Sequence, residues 1–353
     1  MQRQLGWSGP TISGVDLLAL GWTADRVAEL PPGCEPGRVL RVDRGRLTVR
    51  STGGERRVHP ATALHEAAGP AVGDWVALRG ELAVAVLPRR SAFTRTAAGR
   101  TSAAQVVAAN VDVVLVVDAL IGEARVRRIE RYLAVAWSSG AAPAVVLTKA
   151  DLCDDVEATV EQVAEDAIGV PVLPVSSVTA EGLDAVRELV GPGRTAAMVG
   201  PSGVGKSSLA NALAGRPVAG TRDIREDGRG RHTTTARELY LLPGGGLLVD
   251  TPGMRELGLH DDADGVTQAY ADVAGFAAEC RYRDCEHRTE PGCAVAAAID
   301  DGLLDPARIT AWRKLQGEAR RQLLRVDARA RAEERVRLRA LRRASRAQPY
   351  RTR

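Results

Sequence analysis

Nine consecutive residues restrict what this chain can fold into more than any other feature. Gly200-Pro201-Ser202-Gly203-Val204-Gly205-Lys206-Ser207-Ser208 matches G-x-x-x-x-G-K-[ST] in full. An apolar run, Ala196–Val199, leads in as a strand, and Ser208–Leu213 leads out as a helix. In such a loop the glycines let backbone N–H groups converge on phosphates, and the helix N-terminus adds its positive dipole end. Lys206 is then the counter-charge to the β- and γ-phosphates, and the Ser207 hydroxyl a ligand to Mg²⁺. Lysine is rare here: Lys149, Lys206 and Lys314 are the only three, against 48 basic residues in all. A lysine kept where arginine is the rule points to a use for a compact, flexible ammonium. The motif predicts a nucleotide-binding protein.

The flanking pattern agrees. Val111–Val117, Ala144–Leu147, Val170–Val175, Ala196–Val199 and Leu247–Val249 have the length and β-branching of buried parallel strands. Amphipathic stretches such as Val126–Trp137 and Val156–Ile168 separate them, predicting an α/β sheet covered on both faces. Glu238–Leu242 and Gly246–Asp250, joined by Pro243–Gly245, read as an antiparallel hairpin. Its second strand ends in Asp250-Thr251-Pro252-Gly253, fifty residues beyond Gly200. An acid at that strand end suits magnesium through water, and the Gly253 amide suits a γ-phosphate.

Thr148-Lys149-Ala150-Asp151 ends the strand Ala144–Leu147. A carboxylate accepts from both the ring N–H and the exocyclic amino group of guanine, a pair adenine lacks, and a lysine stem lies along a base plane. One strand later comes Val175-Ser176-Ser177-Val178-Thr179, a turn suited to offering amides to the base. These pieces resemble the base-recognition loops of translation-factor-type GTPases, which normally follow the phosphate loop. Here they precede it, so the order is circularly permuted.

Before the sheet, Arg38–Val42, Arg46–Arg50, Glu55–His59, Asp74–Leu78 and Leu82–Leu87 are short β runs with Gly53-Gly54 and Gly80-Glu81 turns between neighbours. They suggest a small closed barrel of the oligonucleotide-binding (OB) type, after an irregular or partly helical lead-in. After the sheet, Cys280-x4-Cys285-x-His287-x5-Cys293 supplies three thiolates and an imidazole, a closed tetrahedral set for one structural Zn²⁺. The segment is too polar for a core, with Arg281, Arg283, Asp284, Glu286 and Arg288 interleaved. A long Arg/Ala/Leu helix is expected from Pro306. From Arg313 onward, 15 basic and 4 acidic residues give a local charge of +11, which suits RNA phosphates. No run of eighteen apolar residues and no secretory pattern occurs, so a cytoplasmic protein without membrane attachment is expected. Nothing in the sequence suggests an obligate dimer, and a monomer is expected.

Barrel, permuted GTPase order and Cys/His cluster together resemble the ribosome small subunit-dependent GTPase A (RsgA, YjeQ or YloQ) family over residues 36–310. The matching motifs are the phosphate loop, Gly230-Arg231-His232-Thr233-Thr234-Thr235, Asp250-Thr251-Pro252-Gly253 and Ala71-Val72-Gly73-Asp74-Trp75-Val76. The resemblance implies GTP hydrolysis in late maturation of the small (30S) ribosomal subunit, with 16S rRNA as a contact and Mg²⁺ travelling with GTP/GDP. It implies Thr234 beside Ser207 and Asp250 in the magnesium shell, and His232 ordering the attacking water. Met254 follows Gly253 and has no group that orients water, so that group must come from elsewhere. Thr148 stands where the family usually has Asn. The expected architecture is a multidomain α/β protein: lead-in and OB-type barrel in 1–100, circularly permuted P-loop GTPase domain in 101–265, zinc-binding helical domain and basic helix in 266–353. Two other functions fit the phosphate loop: an ATP-dependent kinase or ATPase, and a non-catalytic RNA-binding scaffold.

Overall fold

In the computed structural model, which describes residues 17–43, 45–66, 69–96, 104–121, 126–219, 238–250, 263–283, 285–288, 290–327, 329–336 and 339, the short β runs close into a barrel. Its strands are β1 (Glu35–Asp43), β2 (Arg46–Ser51), β3 (Gly54–Pro60), β4 (Trp75–Arg79) and β5 (Leu82–Val86), with α1 (Thr62–Glu66) after β3. They pair in the order β1-β2-β3-β5-β4, and β4 returns to β1. Alternation along the strands turns Val39, Leu47, Val49, Val58, Val76 and Leu78 into one core. Two 3₁₀ turns, Leu17–Leu20 and Ala24–Glu29, make up the described lead-in.

Asp74, at the entrance to β4, is fully buried. Its carboxylate accepts from the Ala71 amide at 2.7 Å and from Arg89 Nε and Nη2 at 2.8 and 2.7 Å. A buried, two-pronged pair of this kind is costly to break from one side. Asp74→Ala is expected to cost about 3 kcal/mol, measured as a lower denaturant midpoint, and Arg89→Met added to it should recover part of the loss.

Downstream, β6 (Ala92–Thr96) and β7 (Ala104–Ala109) form a two-stranded ribbon that the sequence pattern does not reveal. The main sheet comprises β8 (Val113–Ala119), β9 (Ala142–Thr148), β10 (Val172–Pro174), β11 (Thr195–Val199), β12 (Glu238–Leu241) and β13 (Leu247–Asp250). The helices α2 (Val126–Ser138), α3 (Val156–Asp166), α4 (Leu183–Val190) and α5 (Lys206–Ala214) alternate with these strands. The spatial order is β10-β9-β8-β11-β13-β12, parallel as far as β13, and β12–β13 is the expected hairpin. Val186, Val190, Leu209 and Leu213 of α4 and α5 bury against Leu115, Val117, Val146 and Met198. Two elements are shorter than expected: β10 has three residues, and α3 stops at Asp166 before Ile168.

Barrel and sheet are not separate. β12 pairs antiparallel with β1 at Arg41↔Glu238, so the strands from β10 to β4 form one eleven-stranded sheet. A register shift in β1 between Val39 and Arg41 accompanies this change of partner.

The chain divides into two compact units. Barrel and sheet share one (Met1–Arg95, Ala104–Tyr132 and Ser139–Leu257); the other comprises Thr96–Ala103, Leu133–Ser138 and Gly258–Arg353. The second unit contains α6 (Ala263–Ala269), α7 (Ala271–Ala278), α8 (Ala294–Asp300) and α9 (Pro306–Val326). Asp305 caps α9 by accepting from the Ala307 amide at 2.7 Å, and Pro306 occupies its first turn. Arg308, buried, is paired with Asp272 at 2.6 Å and lies 4.8 Å over the Tyr270 ring. The single long helix expected from Pro306 is interrupted. Asp327 accepts from the Arg329 and Ala330 amides, ending α9 and capping a further helical stretch, and Arg320 pairs with Glu334 across the break.

Candidate nucleotide site and metal cluster

β11 carries the chain into the phosphate loop. A Cβ on Gly200 would lie 2.1 Å from the Val117 carbonyl oxygen, so the neighbouring strand leaves no room for a side chain there. Gly205, at φ +94°, hands over to α5, which begins at Lys206, two residues before the expected Ser208. The Lys206 ammonium donates to the Gly200 carbonyl at 2.7 Å and also to that of Pro201. Its charge is therefore held against the carbonyls at the start of the loop. Ser207 stands in the first turn of α5 and is part-exposed. Ser208, in the same turn, is exposed.

The segment Thr148–Asp151 meets this loop directly. Thr148, at the end of β9, is buried, and its hydroxyl lies 3.1 Å from the Asp118 carbonyl and bonds to that of Val204. A Cβ on Gly205 would sit 3.3 Å from the same hydroxyl. Thr148 thus ties the phosphate loop to the strand end that presents Lys149, Ala150 and Asp151. Lys149 adopts φ +64°, turning the chain sharply into the short 3₁₀ turn Ala150–Leu152. The Ala150 amide donates to the Val175 carbonyl at 3.1 Å. Ser176, fully buried, donates its hydroxyl to Asp151 Oδ1 at 2.6 Å. Its oxygen in turn accepts from the Val178 and Thr179 amides at 3.2 and 3.1 Å. Two amides of the Ser-rich turn are therefore spent on Ser176, whose hydroxyl orients the carboxylate, while Ser177 is part-exposed. This role for Ser176, and the tether made by Thr148, had no local signal in the sequence.

The segments that follow the phosphate loop are described only at their roots. Asn211 accepts from the Val218 and Ala219 amides at 2.8 Å each and donates to the Ala219 carbonyl at 3.0 Å. On the far side, Glu238 enters β12 opposite Asp250. His232, Thr234 and Gly253 lie outside the described residues, as does the side chain of Asp250.

In the second unit, the Cys/His cluster assembles. Cys280 follows α7, Cys293 caps α8 by accepting from the Ala296 amide at 3.4 Å, and Cys285 and His287 lie between. All four ligand atoms lie within 4.8 Å of one another. Cys280 and Cys293 sulfurs are 3.9 Å apart, and His287 Nδ1 is 3.4 and 3.6 Å from them. Zn–S bonds of about 2.3 Å and a Zn–N bond of about 2.0 Å give a tetrahedron with edges of roughly 3.5–3.8 Å. The donor set and its spacing fit a cation of that kind. Desolvation, then the Cys293 and Cys280 sulfurs, push the Cys285 thiol up to about 11, while hydrogen bonds from the Val295 and Ala294 backbone hold the Cys280 thiol below its ordinary value against desolvation. His287 holds φ +58°; its carbonyl accepts from Arg313, and its ring meets Trp312 at 5.4 Å. Both supports come from α9 and were not readable beside the ligands.

Comparison with known proteins agrees with this geometry. The family model RsgA GTPase matches residues 86–260. The chain is 47% identical over 331 residues to the small ribosomal subunit biogenesis GTPase RsgA of Streptomyces coelicolor, covering 90% of each. It is 44% identical over 256 residues to the protein of that name from Methanosarcina acetivorans, covering 70% of this chain and 69% of the other. Among solved structures, YjeQ from Thermotoga maritima superposes with a TM-score of 0.63 at 26% identity, over 81% of this chain and 98% of that one. YloQ, a circularly permuted GTPase, shares the fold with a TM-score of 0.60 at 21% identity, over 82% of this chain and 96% of that one.

Proposed function

The chain belongs to the RsgA GTPase family, and on that premise we propose that it hydrolyses GTP during maturation of the small ribosomal subunit, in contact with 16S rRNA. The observation that carries the guanine reading is the Thr148 tether to Val204, which supports one ligand spanning the phosphate loop and Asp151.

In this reading the Lys206 ammonium faces the β- and γ-phosphates, and backbone N–H groups of the Gly200–Ser208 loop donate to the phosphate oxygens. Asp151, oriented by Ser176, reads the guanine edge; Lys149 and Ala150 flank the base, with Ser177 beside them. Ser207, Thr234 and Asp250 would hold Mg²⁺, which supplies charge neutralisation at the phosphates; the Gly253 amide follows the γ-phosphate. His232 orders the attacking water. Cys280, Cys285, His287 and Cys293 hold one structural Zn²⁺. Residues 1–100, 101–265 and 266–353 act as barrel, GTPase and zinc segments. The protein works as a cytoplasmic monomer; no described helix is long and apolar enough to cross a membrane.

Turnover measured with and without purified small subunits, at two salt concentrations, tests this function. Subunits should raise GTP turnover, and higher salt should weaken the stimulation while sparing the intrinsic rate, because arginine–phosphate contacts release counterions. Turnover indifferent to subunits would leave the ribosomal role without support. Asp151→Asn is expected to weaken GTP binding by about a hundredfold, the loss of charged hydrogen bonds to the base, while ATP competition changes little. A titration in which the variant keeps its preference for GTP removes Asp151 from base recognition.

A further inference from the structure

Where the barrel meets the GTPase sheet, the interface is polar at its centre. Arg38, on β1, is 2% exposed. Its Nη2 donates to the Asn110 carbonyl at 3.1 Å and to Thr195 Oγ1 at 3.0 Å, both across the interface. Its guanidinium carbon lies 5.2 Å from the Trp75 ring centre, and Trp75 packs edge-on against Trp22 at 4.8 Å. Burial pushes the Arg38 guanidinium down to about 10, and the Asp112 carboxylate opposes that shift. At neutral pH it is a buried cation.

Around it the polar groups interlock. Asn110, at φ +53°, donates its side-chain amide to the Gly73 carbonyl at 3.1 Å. Its Oδ1 accepts from Arg26 of the lead-in at 2.8 Å and from the Arg90 amide at 3.1 Å. Backbones also meet without side chains between them. A Cβ on Gly73 would lie 2.2 Å from the Ala109 carbonyl oxygen, and one on Gly21 2.5 Å from that of Gly193. Thr195, the acceptor for Arg38, is the first residue of β11, and its amide donates to Asp112 at 2.7 Å. Five residues later, at Gly200, the chain leaves this strand as the phosphate loop.

A buried cation is an expensive way to join two surfaces, and apolar side chains of similar volume often do it with equal or better stability. What directional bonds add is a single allowed geometry. We propose that Arg38, a barrel residue, is a positioning residue for nucleotide binding: through Thr195 and Asn110 it fixes the root of the phosphate-loop strand against the barrel. The proposal rests on the assignment of Gly200–Ser208 as the nucleotide site.

The full-length chain tests it through the affinity for a fluorescent N-methylanthraniloyl GDP, the thermal midpoint and amide hydrogen exchange. Arg38→Met should keep the midpoint or raise it, weaken GDP binding about tenfold, and speed exchange in Ala196–Val199 but not in α9. A residue that merely holds the fold would lose affinity and stability together. Thr195→Val should also weaken GDP, by leaving the guanidinium short of an acceptor, and the double variant should be no worse than either single one. Unchanged GDP affinity in a folded Arg38→Met overturns the proposal; so does a loss that follows the midpoint down. Should Arg38→Met fail to fold, an unaltered affinity in Thr195→Val overturns it equally. If the unaltered protein fails to bind GDP, the nucleotide-site assignment falls first, and the proposal with it.

Discussion

Lys206→Ala is expected to lower GTP turnover in the presence of small subunits by about a thousandfold, the upper range for removing one preorganised charge from a transition state. The ammonium is already gathered by the Gly200 and Pro201 carbonyls, so little reorganisation is needed when charge develops on the transferred phosphoryl group. Lys206→Arg should not restore turnover. A broad planar fork does not reproduce a compact point charge inside a loop this tight. Single-turnover hydrolysis at saturating GTP measures the effect free of binding, and metal content together with the circular dichroism of the helical unit should stay unchanged. Normal hydrolysis by the variant would end the assignment of the phosphate loop.

Metal removal should have the second large effect, confined to the other unit. Structural zinc in comparable closed sites contributes about 10–16 kcal/mol of apparent binding energy, more than most domains have in total stability. Here the cluster supports helices directly: Cys293 caps α8, and Arg313 on α9 bonds to the His287 carbonyl. Cys293→Ser, or a strong chelator, is expected to release one zinc per chain and to lose helical signal in far-ultraviolet circular dichroism. The barrel and GTPase sheet have their own buried clusters, so GDP affinity should survive. Helical signal and metal content that withstand both treatments would mean that the four ligands do not hold a structural ion.

What could be read from residues alone divides along a physical line. Elements with a local signature were legible: the β-branched runs of β8, β9 and β11, the Gly-Lys-Ser loop, and ligands crowded into fourteen residues from Cys280 to Cys293. Contacts between distant segments were not. Thr148 reaches a carbonyl 56 residues away, and nothing in T-K-x-D announces that its hydroxyl faces the phosphate loop rather than the base. Where the family usually has Asn, the Thr148 hydroxyl is bonded across to the Val204 carbonyl. Ser176 was named as a base-loop residue, yet its bond to Asp151 emerges only once two strand ends lie side by side. Arg313 and Trp312 support His287 from a helix that composition marked only as basic. The break at Asp327 was hidden because Arg, Ala and Leu favour helix on both sides, and one capping carboxylate decides it.

The shared strand pairing between β1 and β12 has a practical consequence for dissecting this molecule. Cutting the polypeptide near residue 100 to obtain a catalytic fragment would strip β12 of its outer neighbour. The fragment would carry a raw row of amide and carbonyl groups, the kind of rim along which chains stack on one another and precipitate. Insolubility of such a fragment would therefore reflect an unmasked flank, with no bearing on whether its chemistry is intact.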